Sequence, residues 1–413
     1  MREGKLRMSW RDELADRAKQ ALSKKPKLGM DVDLSDYILS LSSYVQNLEE
    51  QDLRNRALSV GIDLDGKNRS ATYFQVDHSV LMAQLLSKIP GLEVMNIEEA
   101  LEKYDWLKKY FWNVVEVDQD KFTAAAELYG RGGCFIRVAP NTRIKFPIQA
   151  CLFIGTHGAF QAPHNVIIAE PGSEIHILTG CTTGYKVKKA LHAGITEIYV
   201  KHRARVTFTM IHSWPDEADV RPRTGVLIED EGVFISNYIS LYPFKSLQAC
   251  PVAYLIGKNS SVKFNNIMYV SKSTRIDSGA RIVLSGEGAK GESIFKSVAT
   301  GNAVIVNRGE IVGAAPHTRG HLECRGLVLC PSATIRAIPE LVAKHSQTDL
   351  SHEAAIGKLQ EEQLHYLMAR GVSPDMAISL LVKGFLDPEM PELPPMLQAE
   401  IKKSLAMLED RGL

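Results

Sequence analysis

The chain has 413 residues, 45% hydrophobic and 23% charged, a balance that excludes a disordered protein and supplies apolar material for a large core. Its 49 Lys+Arg and 48 Asp+Glu leave a net charge of +1, which removes the broad basic field of a nucleic-acid binder. No run of about 18 apolar residues occurs and Met1 to Lys27 holds no signal-like apolar stretch, so the chain is expected to be neither exported nor inserted in a membrane.

The first stretch, residues 1–133, reads as a helical region. Trp10 to Leu22 alternates charge with Ala and Leu, and Ile97 to Phe111 places Ala100, Leu101, Tyr104, Leu107 and Phe111 on one face. Asn96 with Glu99 three residues on predicts a capping-box variant for that second helix. A short helix over Gln119 to Leu128 is closed by the glycines at 130, 132 and 133, where the texture changes.

From Cys134 to Ile338, residues 134–338, a small or charged turn followed by a short alternating strand keeps returning. The instances begin at Pro171, Arg203, Glu231, Asn259, Ser278 and Pro331. Their irregular spacing of roughly 20 to 30 residues suits the coils of a solenoid better than hairpins. Helical patterns are nearly absent here, so a doubly wound sheet lacks its crossover helices, and a parallel β-helix is favoured over a sandwich.

After Pro339, residues 339–413 read as a C-terminal helical region. Leu359 to Arg370 is stopped by Gly371, Ser373-Pro374-Asp375 starts a helix to about Val382, and an amphipathic stretch from Met396 to Leu408 follows the prolines between 388 and 395.

Familiar catalytic motifs fail on inspection. Gly61 to Lys67 matches GxxxxGK, but Asn68 replaces the magnesium-binding hydroxyl residue. His352-Glu353-Ala354-Ala355-Ile356 begins like a zincin helix, yet Ile356 stands where the second His must be. A polysaccharide hydrolase on a β-helix needs converging carboxylates, and Glu229, Asp230 and Glu231 read as a solvated turn. No catalytic activity of the chain's own is expected.

The six Cys, at 134, 151, 181, 250, 324 and 330, form no CxxC pair, so neither a disulfide framework nor a zinc module is encoded and a reducing cytoplasm fits best. Cys324 and Cys330 on one strand would stand roughly 20 Å apart and cannot grip one metal. Cys324 and Glu353 are one coil length apart, so a solenoid is expected to stack them on neighbouring rungs, with His352 beside them. Thiolate, imidazole and carboxylate would make an incomplete, labile ligand set, suited to a site that gives its cargo away. The competing reading is structural: a buried Cys as a small hydrophobe and a solvated His-Glu pair. His321 is a reserve ligand, expected on the opposite face of its strand, while His317, His345 and His365 read as surface residues.

From about Gln119 to Phe385 the chain resembles the SufB/SufD family, scaffold proteins of the SUF iron–sulfur cluster assembly system. The resemblance is carried by Phe135-Ile136-Arg137-Val138-Ala139-Pro140, Pro147-Ile148-Gln149, Val166 through Ser173, Thr179-Gly180-Cys181, Leu191-His192-Ala193 and Ser351-His352-Glu353-Ala354-Ala355. It continues through Ile356 to Leu359, Glu362 to Leu367, Arg370-Gly371 and Ala377 to Phe385.

The resemblance implies a mainly β fold, a right-handed parallel β-helix flanked by helical regions. It also implies a SufC-type ABC ATPase docked on the C-terminal helices, a second SufB/SufD-type subunit paired through the β-helices, and recipient apoproteins. Cys324, His352 and Glu353 match the family's cluster-associated positions, with a transient iron–sulfur cluster of the [4Fe-4S] type as cargo. Three departures stand out: Ser351 replaces an acidic residue, the N-terminal cysteine cluster is missing, and no Cys lies near Leu227 to Asp230, where a sulfur-entry cysteine falls in the common bacterial type. They fit an archaeal-like member, and they leave open a SufD-like structural partner that binds no metal and positions the ATPase.

Overall fold

The computed structural model describes residues 9–41, 49–65 and 68–386. Helix α1 (Trp10–Ala21) is started by Ser9, whose hydroxyl accepts the Asp12 amide while Asp12 returns the bond to the Ser9 backbone. Helices α2 (Glu50–Leu58), α3 (Ile97–Lys103) and α4 (Lys121–Tyr129) follow. Asn96 caps α3 by accepting from the Glu98 amide, so the expected partnership with Glu99 does not form, and Glu98 instead accepts from the Gly132 amide. The expected helix to Phe111 tightens at Asp105–Tyr110 into a 3₁₀ turn.

The middle of the chain winds as a parallel β-solenoid of about eight turns. One sheet runs from the Ser79–Leu85 and Ala71–Val76 hairpin through Ile148–Ile154, Glu174–Thr183, Arg205–Ser213, Val233–Ser240, Ser261–Val270, Lys290–Ala299 and Arg319–Val328 to Asp349–Gly357. The facing sheet runs from Leu92–Asn96 to Thr334–Ala343. At one corner of successive turns a residue takes positive φ: Gly172 (68°), Arg203 (56°), Glu231 (55°), Asn259 (51°), Gly288 (70°) and His317 (59°). The amide of each of the first five donates to a carbonyl of the next turn at 2.8–3.0 Å. This column is the physical content of the recurring turn phrase, since the left-handed corner favours Gly and Asn and tolerates solvated charged residues. Five of the six phrases do precede strands; Ser278-Gly279 instead lies inside the Arg275–Leu284 strand.

The strands also extend beyond the expected boundaries at 133 and 338. Ala71–Val76 is buried at every position, so it shows no alternation to betray it. At the other end Thr334–Ala343 contains Pro339, which a central strand would exclude, but this strand pairs on one side only. Asp349–Gly357 follows as a further strand, so Ser351-His352-Glu353 sits mid-strand rather than at a loop end. Helices α5 (Glu361–Ala369) and α6 (Pro374–Leu386) then begin close to expectation. The stretches from Pro388 to Pro395 and from Met396 to Leu408 lie outside the described residues.

Inside the solenoid, Ile, Val, Leu and Phe from both sheets form one continuous core. Outside, α2 and α6 cover part of the first sheet, with Val382 and Leu386 clustering with Ile211, Ile239, Ile267 and Val298. Each such aliphatic burial contributes about 1.5–3 kcal/mol. Gly180 is required at one approach: a Cβ there would fall 2.4 Å from a Val60 methyl, so only glycine lets the 60–62 segment lie on the sheet.

The two ends of the stack differ. At the start, Leu41, Val80, Ala83 and Leu85 pack against the interior. At the finish, the last strand of each sheet is largely exposed, including Ile338, Leu341 and Ile356.

Candidate functional site

Cys324 lies on Arg319–Val328, the penultimate strand of its sheet, where alternate residues Gly320, Leu322, Cys324 and Gly326 are buried. Its strand neighbours in register are Phe295 on one side and Ala354 on the other. Burial in this apolar column pushes the thiol up to about 11, with the Glu323 carboxylate adding to the rise. At neutral pH the group is therefore a neutral thiol, and binding a metal is what would strip its proton.

His352 lies on the terminal strand opposite Leu322, so the pleat turns it to the same inner side as Cys324, one diagonal step away. Its Nε2 is buried without a hydrogen-bond partner among the described residues. Glu353 is placed differently. Its register partner is Glu323 and the register partner of Cys324 is Ala354, so a 30-residue offset is in phase at this turn. The 29-residue spacing does bring Cys324 and Glu353 to neighbouring strands, but one residue out of register, which in a pleated sheet means opposite faces. The expected convergence of all three side chains is thus not formed within this chain: thiol and imidazole share the interior, and the carboxylate stands outside.

On that outer face Arg325 pairs with Glu323, leaving Glu353 exposed and without an ion-pair partner among the described residues. His321 also faces outward, as expected, its Nδ1 2.8 Å from the Ser351 hydroxyl. His317 takes the left-handed corner of its turn, and His345 lies in the turn before the last strand. Among the described residues no group of three or more His, Cys, Asp or Glu side chains is gathered as a metal would need. The described residues contribute a thiol and an imidazole on the inner face of the exposed last turn.

Cys330 stands in the turn beyond the Cys324 strand, half-buried, with its sulfur 3.2 Å from the Thr300 hydroxyl. That hydroxyl and the Gly301 amide lower its pKa, whereas burial raises the other five thiols. It is the most readily ionised of the six. Its sequence signal is its place directly before the Pro331-Ser332 turn, because turn amides and hydroxyls stabilise an adjacent thiolate.

The docking candidates are also positioned. Helix α5 buries no residue and leaves Tyr366 and Met368 exposed, while α6 buries Ala377, Val382 and Leu386 and exposes Met376 and Leu380. Among the described residues no helix is long and apolar enough to cross a membrane.

Residues 152–385 match the family model described as SUF system FeS cluster assembly, SufBD core domain. An iron–sulfur cluster assembly SufBD family protein of Methanothermobacter thermautotrophicus is 41% identical over 400 residues, covering 95% of this chain and 97% of that one. One of Archaeoglobus fulgidus is 45% identical over 356 residues, covering 86% and 95%. One of Pyrococcus horikoshii is 36% identical over 368 residues, covering 88% and 82%. With a solenoid core, helical flanks and likeness along nearly its whole length, the chain belongs to the SufBD family of iron–sulfur cluster assembly proteins.

Proposed function

We propose that this protein is an assembly scaffold on which a nascent iron–sulfur cluster is built at a subunit interface and then passed to apoproteins. The observation that carries this reading is that Cys324 and His352 share the inner face of the solenoid at its exposed last turn. Two donors are too few to hold a cluster, so further ligands come from a second SufB/SufD-type subunit laid across that end. The cluster, of the [4Fe-4S] type, is cargo. Its iron draws the proton off the Cys324 thiol, and His352 offers its free Nε2. Glu353 belongs to the same site because it lies on the edge strand, where both faces border the partner. A weak mixed shell of this kind releases what it holds.

A SufC-type ABC ATPase docks on α5 and α6, whose exposed Tyr366, Met368, Met376 and Leu380 supply the apolar contact. ATP turnover on that partner opens and closes the end of the stack, and the cytoplasm supplies the reducing setting. The chain itself performs no catalysis in this scheme.

A second reading, a SufD-like subunit that binds no metal and positions the ATPase, is favoured by the neutral, core-packed thiol and by the lack of a three-donor group among the described residues. Anaerobic reconstitution with iron and sulfide decides between them, using wild type and Cys324→Ser copurified with the ATPase. A visible chromophore and bound iron in wild type that vanish in the variant, with the complex intact, are expected. Equal loading in both proteins removes Cys324 from the ligand set and overturns the proposed site, and loading in neither moves the chain to the second reading.

A further inference from the structure

Away from the last turn, a cavity of about 370 Å³ opens between the Lys27 to Met30 segment and the second sheet. Four cationic side chains line it, those of Lys27, Arg221, Arg275 and Arg308, against the single carboxylate of Asp277. Asp277 is fully engaged by the Arg308 fork at 2.6 and 2.9 Å. Lys27 and Arg275 are exposed and have no carboxylate partner among the described residues.

Arg221 is fully buried, a costly place for a charge. It donates to the carbonyls of Val220 and Ser246, to the Ser246 hydroxyl and to the Met30 carbonyl, and its Nε has no partner. The nearest carboxylate, Asp219, stands 3.7 Å away and is shared with Lys245 at 2.7 Å. Burial lowers the guanidinium only to about 10, so it stays charged at neutral pH. The lining therefore carries an excess of positive charge in a concavity of low dielectric, where an anion is attracted far more strongly than on an open surface.

We propose that this cavity binds a small phosphate-bearing molecule as a polyanion, gripped by the exposed Arg275 and Lys27 and held by the field of the buried Arg221 charge beneath. Arginine forks match phosphate oxygens, Lys27 adds a point charge, and the volume lies in the range of about 300–1,000 Å³ usual for small-ligand sites. The ligand also joins the Lys27 to Met30 segment to the solenoid, tying occupancy to the attachment of the N-terminal region. The site is separate from Cys324, and nothing in the argument depends on cluster binding.

The test is calorimetric titration of inorganic pyrophosphate into the full-length protein at low ionic strength. Saturable binding of one molecule per chain is expected. Arg275→Glu and Lys27→Glu, both at exposed positions, should each weaken it at least tenfold with the melting temperature of the free protein unchanged. Lys290→Glu is the control: it lies in a different basic groove, with Arg205 and Arg319, and should leave the affinity within twofold of wild type. Absence of saturable binding, wild-type affinity in either cavity variant, or equal loss in all three variants overturns the proposal.

Discussion

The carboxylate of Asp120 holds helix α4 and the solenoid together through Arg223. One oxygen caps the helix, accepting from the Phe122 and Thr123 amides at 2.9 and 3.3 Å, and the other takes the Arg223 guanidinium at 2.9 and 2.8 Å. Both side chains are almost fully buried. Asp120→Asn keeps the cap but leaves a buried guanidinium facing an amide, so a loss of about 3 kcal/mol is expected in urea unfolding. Asp120→Ala should cost more, because the cap goes as well. A loss under 1 kcal/mol for Asp120→Asn would mean that Arg223 finds other compensation.

The ordering of the six thiols predicts selective chemistry. In the folded protein at pH 7.5, iodoacetamide should modify Cys330 first, with Cys324 and the four remaining cysteines protected until denaturant is added. Site-resolved mass spectrometry follows this directly, and Cys330→Ser should abolish the fast phase. Modification of Cys324 at a matching rate would contradict its placement inside the stack.

Buried imidazoles set the acid limit of the fold. Burial lowers His192 to about 3 and His176 to about 4, and also pushes His212 well down, with His192 contributing to that last shift. The unfolded chain takes up protons near pH 6.5 that the folded chain refuses. The stability these groups contribute is therefore complete above about pH 6.5 and is lost as pH falls from there toward 4, by at most about 1.4 kcal/mol per pH unit for each histidine. The melting temperature should drop between pH 7.5 and pH 5, and His192→Gln should narrow that gap. An equal gap in the variant would assign acid sensitivity to the carboxylates instead.

Gly180 offers a steric test of how the outer layer attaches. Gly180→Val places its Cβ against Val60 and Ile62 and should cost about 1–3 kcal/mol. Hydrogen exchange should quicken at 57–62 while the interior strands keep their protection. Unchanged exchange there would mean that the segment repacks without loss.

One cap made a helix start legible: Ser373-Pro374-Asp375 marks the beginning of α6 to within a residue, whereas the boxes at Ser9 with Asp12 and Asp120 with Thr123 emerge only in the structure. The solenoid was legible because its corners demand left-handed residues, which leave a trace in the phrases at Gly172 and Asn259. Register was not. Register partners on neighbouring turns stand at separations from 27 residues, as in Gly225 with Val252, to 31, as in Glu174 with Arg205. A spacing of 29 thus identifies the neighbouring turn but not the face. Hydrogen bonding decides the rest, and it puts Ala354, not Glu353, opposite Cys324.

The unequal ends of the stack bear on how far self-association can go. At the start, the antiparallel hairpin Ala71–Leu85 reverses strand direction and carries an irregularity at Phe74/Gln75, features that discourage another chain from continuing the sheet. At the finish, Asp349–Gly357 and Thr334–Ala343 each keep one edge unpaired among the described residues. Growth through that edge consumes it: two copies meeting end to end leave only blunted termini facing solvent. The proposed end-to-end pairing therefore closes on two copies and does not grow into the fibre that a stack of parallel rungs would otherwise invite.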